Sequence, residues 1–140
     1  MTKKIQIDCA EIELLENGII QLKYSSDYNV ELEDVKEVEQ VFIEFSQGGD
    51  IFCLMDTSGR LNNYTPEAQK YLSKEASIVK EEKMRCSAVV IDNLPNRILA
   101  RFFSSFFKPQ FKMQIFSSNE EALKWLAAEK ASCEELEITQ

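Results

Sequence analysis

The sequence predicts an α/β fold: a five-stranded, mostly parallel mixed sheet with an N-terminal antiparallel hairpin and four helices. Three observations predict it. Two alternating segments flank a turn signal, three pairs of a helix pattern and a strand pattern follow, and a last helix pattern closes the chain. The expected order of elements is therefore ββαβαβαβα. The length of 140 residues fits a single domain over 1–140, with a core at about 10–128 and a flexible acidic tail at 132–140.

The first half of the chain shows the change from strand to helix periodicity. The hairpin is predicted over residues 10–24, where alternating apolar residues flank Asn17-Gly18, a dipeptide that tolerates positive φ. Apolar residues then recur at three- and four-residue steps from Leu32 to Phe45, which predicts an amphipathic helix. Gly48-Gly49 is expected to end that helix.

Three later apolar runs predict the remaining strands. They lie at residues 51–55, 88–91 and 113–116. The first two are nearly continuous in apolar residues, which is typical of parallel strands that are covered on both faces. Because helix patterns separate all three runs, the strands are expected to pair in parallel.

Capping residues mark the helices between and after these strands. Thr65-Pro66-Glu67 predicts a helix start, with Thr65 as the N-cap and proline in the first turn. That helix is expected to run through Ala68 and Leu72, and then either to break or to continue weakly to Val79. A third, aromatic helix is predicted over about 96–107, and Ser118 with Glu121 forms a capping box for the last helix.

Composition excludes several function classes. The chain has no histidine, so Ser-His-Asp catalysis and histidine-ligated metals are excluded. Its net charge is −8, which disfavours nucleic-acid binding. No run approaches the apolar length of a membrane span, and no apolar signal-peptide core follows the N-terminus, so we expect a cytoplasmic protein without a transmembrane segment.

The four cysteines, Cys9, Cys53, Cys86 and Cys133, lack the paired spacing of zinc or redox sites. We therefore expect free thiols, with Cys53 and Cys86 packed as small apolar groups. Neither a metal site nor a cofactor is predicted.

The aromatic helix contains the candidate contact residues. It places two arginines one turn apart beside four phenylalanines, which is more aromatic surface than one buried stripe needs. The candidates are Arg97, Arg101, Phe102, Phe103, Phe106 and Phe107. Three interpretations remain open: an interface with a partner, an ordinary core, or a pocket in which the guanidinium groups hold an anion and the rings hold an acyl chain.

Two segments resemble a known family. Residues 92–97 (DNLPNR) precede the aromatic helix, and residues 116–126 (FSSNEEALKWL) lead into the last helix. With the order of elements, they resemble the STAS (sulfate transporter and anti-sigma-factor antagonist) family, and most of all its SpoIIAA-like subgroup, which is also compared with CRAL-TRIO lipid-binding domains. The resemblance covers about residues 10–128.

The resemblance implies a regulatory module that contacts other proteins. In signalling members a kinase phosphorylates a serine or threonine at a helix N-terminus after the third strand. Here the matching letters, DTSG at 56–59, include Ser58, whereas the helix itself begins at Thr65. Ser58 and Thr65 are therefore both weak phosphoacceptor candidates, and plain turn and capping roles are the simpler interpretation.

We expect a non-enzymatic, bacterial STAS-like interaction module that forms a homodimer or binds a regulatory protein. Phe103, Phe106 and Phe107 would anchor the interface. The alternative is a domain that binds a lipid or a small anion at the third helix. An enzyme that uses Asp56 or Asp92 at the ends of strands is a remote third option, because aspartate there is also the ordinary turn residue.

Overall fold

A computed structural model describes residues 3–25, 28–57, 63–95, 97–98 and 110–139 of the chain. The strands are β1 (Lys3–Gln6), β2 (Ala10–Leu14), β3 (Ile20–Tyr24), β4 (Asn29–Val30), β5 (Ile51–Asp56), β6 (Asn63–Tyr64), β7 (Met84–Val90) and β8 (Lys112–Phe116). The helices are α1 (Leu32–Ser46), α2 (Pro66–Lys70), which continues as a π-helical turn (Tyr71–Glu75), α3 (Ser77–Lys80) and α4 (Asn119–Thr139).

The main sheet has the strand order β1-β2-β3-β5-β7-β8. The pairs β1–β2 and β2–β3 are antiparallel, whereas β3–β5, β5–β7 and β7–β8 are parallel. The predicted α/β class with a mostly parallel mixed sheet is therefore confirmed.

The predicted number of strands is wrong. Among the described residues, the main sheet has six strands rather than five, because β1 adds an edge outside the hairpin. Short strands β4 and β6 also form a separate parallel pair. Strand β1 has the sequence KKIQ, in which Ile5 packs against the core and the two lysines are exposed. Lysines of this kind protect an edge strand from pairing with other chains, and they also hide it from a search for apolar alternation.

The predicted hairpin is confirmed as β2–β3. Leu14 lies opposite Ile20, and the turn between them contains Gly18 with φ of +86°. The side chain of Asn17 accepts a hydrogen bond from the backbone N–H of Ile19 at 3.1 Å. Because only glycine adopts such a φ without strain, Asn17-Gly18 sets the register of the two strands.

Two apolar clusters cover the two faces of the sheet. The first face carries Ile51 and Cys53 of β5 and packs against α1, α2 and α3. The second face carries Phe52 and Leu54 of β5 and packs against Ala122 and Leu126 of α4. Alternate residues of β5 thus point to opposite faces of the sheet, and both faces of this strand are covered by helices, as predicted.

The helix starts agree with their capping signals. The side chain of Thr65 accepts a hydrogen bond from the backbone N–H of Ala68 at 3.1 Å, with Pro66 in the first turn. Ser118 accepts one from the N–H of Glu121 at 3.3 Å. The second helix does not continue regularly to Val79, since the backbone leaves the helix at Ala76.

The predicted third helix lies largely outside the described residues. Residues 94, 95, 97 and 98 have helical backbone, so the helical segment begins slightly earlier than the predicted start at Asn96. At the other end, α4 extends to Thr139, so the acidic segment 132–139 has helical backbone. The flexibility of this tail and the extent of the single domain over 1–140 stay predictions.

Candidate functional site

The parallel strands end together at one edge of the sheet. Strands β3, β5, β7 and β8 finish there at Tyr24, Asp56, Val90 and Phe116. In open α/β sheets ligands and partners commonly bind at this edge, because the connecting loops leave the sheet there. We call it the carboxyl edge.

Asp56 forms a polar cluster on the second face of this edge. Its carboxylate is 5% exposed and accepts a hydrogen bond from the Nδ2 of Asn119, the first residue of α4, at 3.2 Å. The Nζ of Lys23, at the end of β3, lies 3.9 Å from the same oxygen, Oδ2. The cluster therefore joins two neighbouring strands to the start of α4.

The carbonyl oxygen of the Asn119 amide, Oδ1, also lies in this cluster. This oxygen is buried, and within the described parts of the chain no donor bonds to it. Because Nδ2 donates to Asp56, the orientation of the amide is fixed by that bond. The cluster can therefore accept one further hydrogen bond, but Asp56 itself is almost inaccessible from solvent.

Thr57 and Arg97 anchor to consecutive carbonyl groups of the chain that leaves β7. The backbone N–H and the hydroxyl of Thr57 donate to the carbonyl oxygen of Val90 at 3.0 and 2.7 Å. The Nη1 of Arg97 donates to the carbonyl oxygen of Ile91 at 3.0 Å. Two loops of the carboxyl edge are thereby tied to the same stretch of backbone.

The guanidinium of Arg97 is only partly used. Its residue is half-buried, and among the described residues no carboxylate pairs with it. A guanidinium group has five N–H donors in a fixed geometry that matches a carboxylate or phosphate. In the described part of the chain, the carbonyl oxygen of Ile91 is the acceptor recorded for this group.

Two large apolar side chains next to Arg97 are exposed. Leu94 is 56% exposed and Ile98 is 59% exposed, both residues have helical backbone, and the N–H of Arg97 donates to the carbonyl oxygen of Asn93 as in a helical turn. Residues four apart in a helix lie on the same side, one turn from each other. Leu94 and Ile98 therefore form a small apolar patch, which we call the apolar turn.

The buried thiols have little nucleophilic character. Burial raises the pKa of Cys53 to about 12 and that of Cys86 to about 11, with the carboxylate of Glu129 adding to the shift of Cys86. All four cysteines are free, and Cys53 and Cys86 lie among apolar side chains. Their burial confirms the interpretation of Cys53 and Cys86 as small core groups. A neutral thiol is also a poor nucleophile.

Of the predicted site residues, two lie in the described part of the chain and six do not. Arg97 lies at the carboxyl edge, and Thr65 is half-buried as the N-cap of α2. Six predicted residues lie outside the described part of the chain: Ser58, Arg101, Phe102, Phe103, Phe106 and Phe107. Their roles stay predictions.

The two aspartates considered for catalysis lie at the ends of neighbouring strands but differ in exposure. Asp56 is buried, whereas Asp92 is exposed beyond β7.

Within the described ranges, no group of three or more cysteine, aspartate or glutamate side chains is placed to hold a metal ion. No helix of that part of the chain has both the length and the apolar character for a membrane span.

Sequence reasoning missed four residues of this edge. Lys23 and Asn119 were not singled out, and Leu94 and Ile98 were read only as part of a motif and of a helical stripe. Lys23 does carry a signal, since it alternates with the buried residues of β3 and so lies on the second face. The exposure of Leu94 and Ile98 depends on how the backbone leaves β7, which periodicity does not encode.

Comparison with known proteins identifies the family. Residues 13–130 match the family described as Domain of unknown function (DUF7793), so the chain belongs to that family. No curated protein matches the sequence.

A solved structure shares the fold. It is an uncharacterized protein from the DUF3478 family with a SpoIIAA-like fold, from Shewanella loihica PV-4. The two structures align with a TM-score of 0.56 over 90% of this chain and 92% of that chain, at 15% sequence identity. The chain therefore has a SpoIIAA-like fold, and the resemblance inferred from the sequence is confirmed at the level of the fold.

Proposed function

We propose that this member of the DUF7793 family is a non-enzymatic, STAS-like regulatory module that acts in the bacterial cytoplasm by contacting other proteins and forms a homodimer. The contact surface would be the apolar turn, continued by the aromatic residues that follow it in the sequence. The SpoIIAA-like fold supports a STAS-like domain.

The observation that carries this proposal is the exposure of the apolar turn. Among the described residues, Leu94 and Ile98 are the exposed large apolar side chains, and they lie one helical turn apart. Isolated exposed apolar residues are common, but two adjacent ones beside an arginine match the composition of protein interfaces. They lie at the carboxyl edge, where open α/β sheets commonly bind their ligands.

The chemistry of the edge supports a binding role over catalysis. Asp56 is almost completely buried and bonded to Asn119, so it is poorly placed to contact a substrate. The thiols of Cys53 and Cys86 are neutral at physiological pH because burial raises the pKa of both. With no histidine in the chain, the usual general base near neutral pH is absent as well.

A second candidate function is the binding of a lipid or a small anion. The half-buried guanidinium of Arg97, which no described carboxylate neutralises, favours this alternative. An acyl chain would then lie along the apolar turn. The exposure of Leu94 and Ile98 favours a protein surface instead, since ligand pockets enclose most of their ligand.

Sedimentation velocity over a wide range of protein concentration tests the proposal. The wild-type chain should form a dimer, and Leu94→Glu and Ile98→Glu should shift it to monomer, because a carboxylate in a desolvated apolar contact is strongly unfavourable. Ala128→Glu, at an exposed position of α4 on the second face, is the matched control and should leave the dimer unchanged.

Two results would contradict the proposal. A wild-type chain that stays monomeric at every concentration rejects the homodimer. A dimer that survives both Leu94→Glu and Ile98→Glu rejects the apolar turn as its contact surface. Native mass spectrometry of the same samples distinguishes the alternative, since a bound fatty acid on a monomer would favour the ligand-binding domain.

A further inference from the structure

Helix α4 runs back along the second face, antiparallel to the strands that it covers. Its first residue, Asn119, donates to Asp56 at the end of β5. Further along the helix, Glu129 lies near the opposite end of the sheet. Its Oε2 accepts a contact from the thiol of Cys86 at 4.0 Å, and its Oε1 accepts a hydrogen bond from Lys112 at 2.7 Å. The later turns of α4 are therefore level with Cys86 in β7.

The side of α4 that faces the sheet continues to a second cysteine. Its residues follow each other at steps of three and four, which is the spacing of one helix face: Ala122, Leu126, Glu129 and Cys133. Cys133 is half-buried and packs against the apolar cluster that includes Cys86. Burial raises the pKa of Cys86, and Glu129 and Cys133 add to the rise. The two thiols are therefore neighbours on facing elements.

The four thiols differ in their exposure to solvent. Cys9, Cys53 and Cys86 are buried, whereas Cys133 is half-buried. A small oxidant therefore reaches Cys133 first. Cys86 does not react alone, because burial and the charge of Glu129 raise its pKa to about 11 and keep it a neutral thiol. The pair thus combines an accessible cysteine with a sheltered one beside it that can resolve its oxidised form.

We propose that Cys133 and Cys86 form a disulfide in the presence of hydrogen peroxide, and that this bond locks the last turns of α4 onto β7. In the first step the Cys133 thiolate attacks the peroxide. The O–O bond breaks, a sulfenic acid forms, and the hydroxide that leaves takes up the proton that Cys133 released. In the second step the sulfur of Cys86 attacks that of Cys133. The S–S bond forms, the S–O bond breaks, and the hydroxyl group leaves as water with the proton of Cys86. The two thiols lose two electrons, and one peroxide becomes two water molecules.

This inference goes beyond the proposed function and does not require the homodimer. A disulfide holds its two Cα atoms about 4.4–6.8 Å apart, so the bond fixes the distance between α4 and β7. The chain between the two cysteines includes the apolar turn and β8, and closing it into a loop lowers the entropy of the unfolded chain. In a reducing cytoplasm such a bond is transient, which makes it a redox signal rather than a permanent staple.

Peptide mapping after oxidation tests the pair. Reduced full-length protein is treated with hydrogen peroxide, the remaining thiols are blocked with N-ethylmaleimide in denaturant, and the chain is digested with trypsin without a reductant. We expect two linked peptides, one beginning at Cys86 after Arg85 and the other at Ala131 after Lys130, which dithiothreitol separates. Cys53→Ala, which removes a buried thiol of the first face, is the matched control and should give the same linked peptides.

Thermal unfolding measures the lock on α4. Oxidised wild type should unfold at a temperature higher by roughly 5 °C or more than the reduced protein, because the cross-link acts on the unfolded chain. Cys133→Ser, at a half-buried position, should give no linked peptides and no shift after the same treatment.

Four results would overturn the inference. Thiols that all stay free reject the reaction, and a Cys133 sulfinic acid beside a maleimide-blocked Cys86 shows that the two sulfurs do not meet. Linked peptides that come from a covalent dimer on a non-reducing gel assign the bond to two copies of the chain. An oxidised monomer that unfolds no later than the reduced protein rejects the lock. Each of these results leaves the apolar turn untouched, since its variants are measured on reduced protein.

Discussion

Two buried carboxylates of similar exposure lie in different parts of the molecule and have different surroundings. Glu39 and Asp56 are each 5% exposed. Glu39, on α1, lies on the first face and accepts hydrogen bonds from the hydroxyl groups of Tyr71 and Ser77 and from the N–H of Ile78. Asp56 lies at the carboxyl edge between β3 and α4, where the Nζ of the half-exposed Lys23 is 3.9 Å from its Oδ2.

Glu39 connects helices that pack on the first face, whereas Asp56 lies beside the loops of the carboxyl edge. Glu39 joins α1 to the π-helical turn through Tyr71 and to the start of α3 through Ser77 and the buried N–H of Ile78. Burial of the Tyr71 ring, together with the hydrogen bond that its hydroxyl donates to Glu39, raises the pKa of Tyr71 to about 12. The cluster at Asp56 joins the sheet to α4 next to loops that lead to the candidate contact surface.

Glu39→Ala should have the largest effect on stability. The substitution leaves the buried N–H of Ile78 without its acceptor, and it also removes the acceptor of the half-buried Tyr71 and the exposed Ser77. A buried unsatisfied group costs about 1–3 kcal/mol. We expect the free energy of unfolding in urea to fall by about 3 kcal/mol. Glu37→Ala, at an exposed position of the same helix, is the control. A loss equal to that of the control would show that Glu39 does not hold α1 and α3 together.

Asp56→Asn should have a smaller effect. It removes the charge that faces Lys23 but keeps one oxygen that can accept from Asn119, so we expect a loss of about 1.5 kcal/mol in the same measurement. Asp8→Asn, at an exposed position before β2, is the matched control and should change stability by less than about 0.5 kcal/mol. A loss larger than that of Glu39→Ala would reverse the comparison and make the carboxyl edge the main polar support of the fold.

Alkaline pH tests the first-face core through Cys53. Burial raises the pKa of this thiol from 9.0 to about 12. A raised pKa means that the folded state holds the proton more tightly, so the stabilisation is fully present below pH 9.0 and is lost as the pH rises toward 12. Between pH 8 and pH 10, wild type should lose about 1 kcal/mol more than Cys53→Ala. Parallel pH profiles for the two proteins would show that Cys53 is accessible to water in the folded state.

The strength of local signals explains how much of the fold could be predicted. Asn17-Gly18 and Thr65-Pro66 determine backbone conformation within a few residues, and both predictions are confirmed. Strand β1 was missed because its pairing depends on a neighbouring strand rather than on its own composition. The break at Ala76 was not located because Glu39, which binds the start of α3, is distant in sequence.

The candidate site could be predicted only in part for the same reason. Arg97 was found because a motif and a helical spacing mark it. The contacts of Lys23 and Asn119 with Asp56 join residues that are far apart in the chain. The exposure of Leu94 and Ile98 is a property of the folded surface, which a list of apolar positions does not contain.

Hydrogen–deuterium exchange at increasing protein concentration tests the central claim, that the apolar turn is the contact surface between copies, most directly. The account predicts that amides around Arg97 and Ile98 become more protected as the dimer forms, while those around Ala128 of α4 do not change. Protection that is independent of concentration at Leu94–Ile98, or that appears on α4 instead, would contradict it.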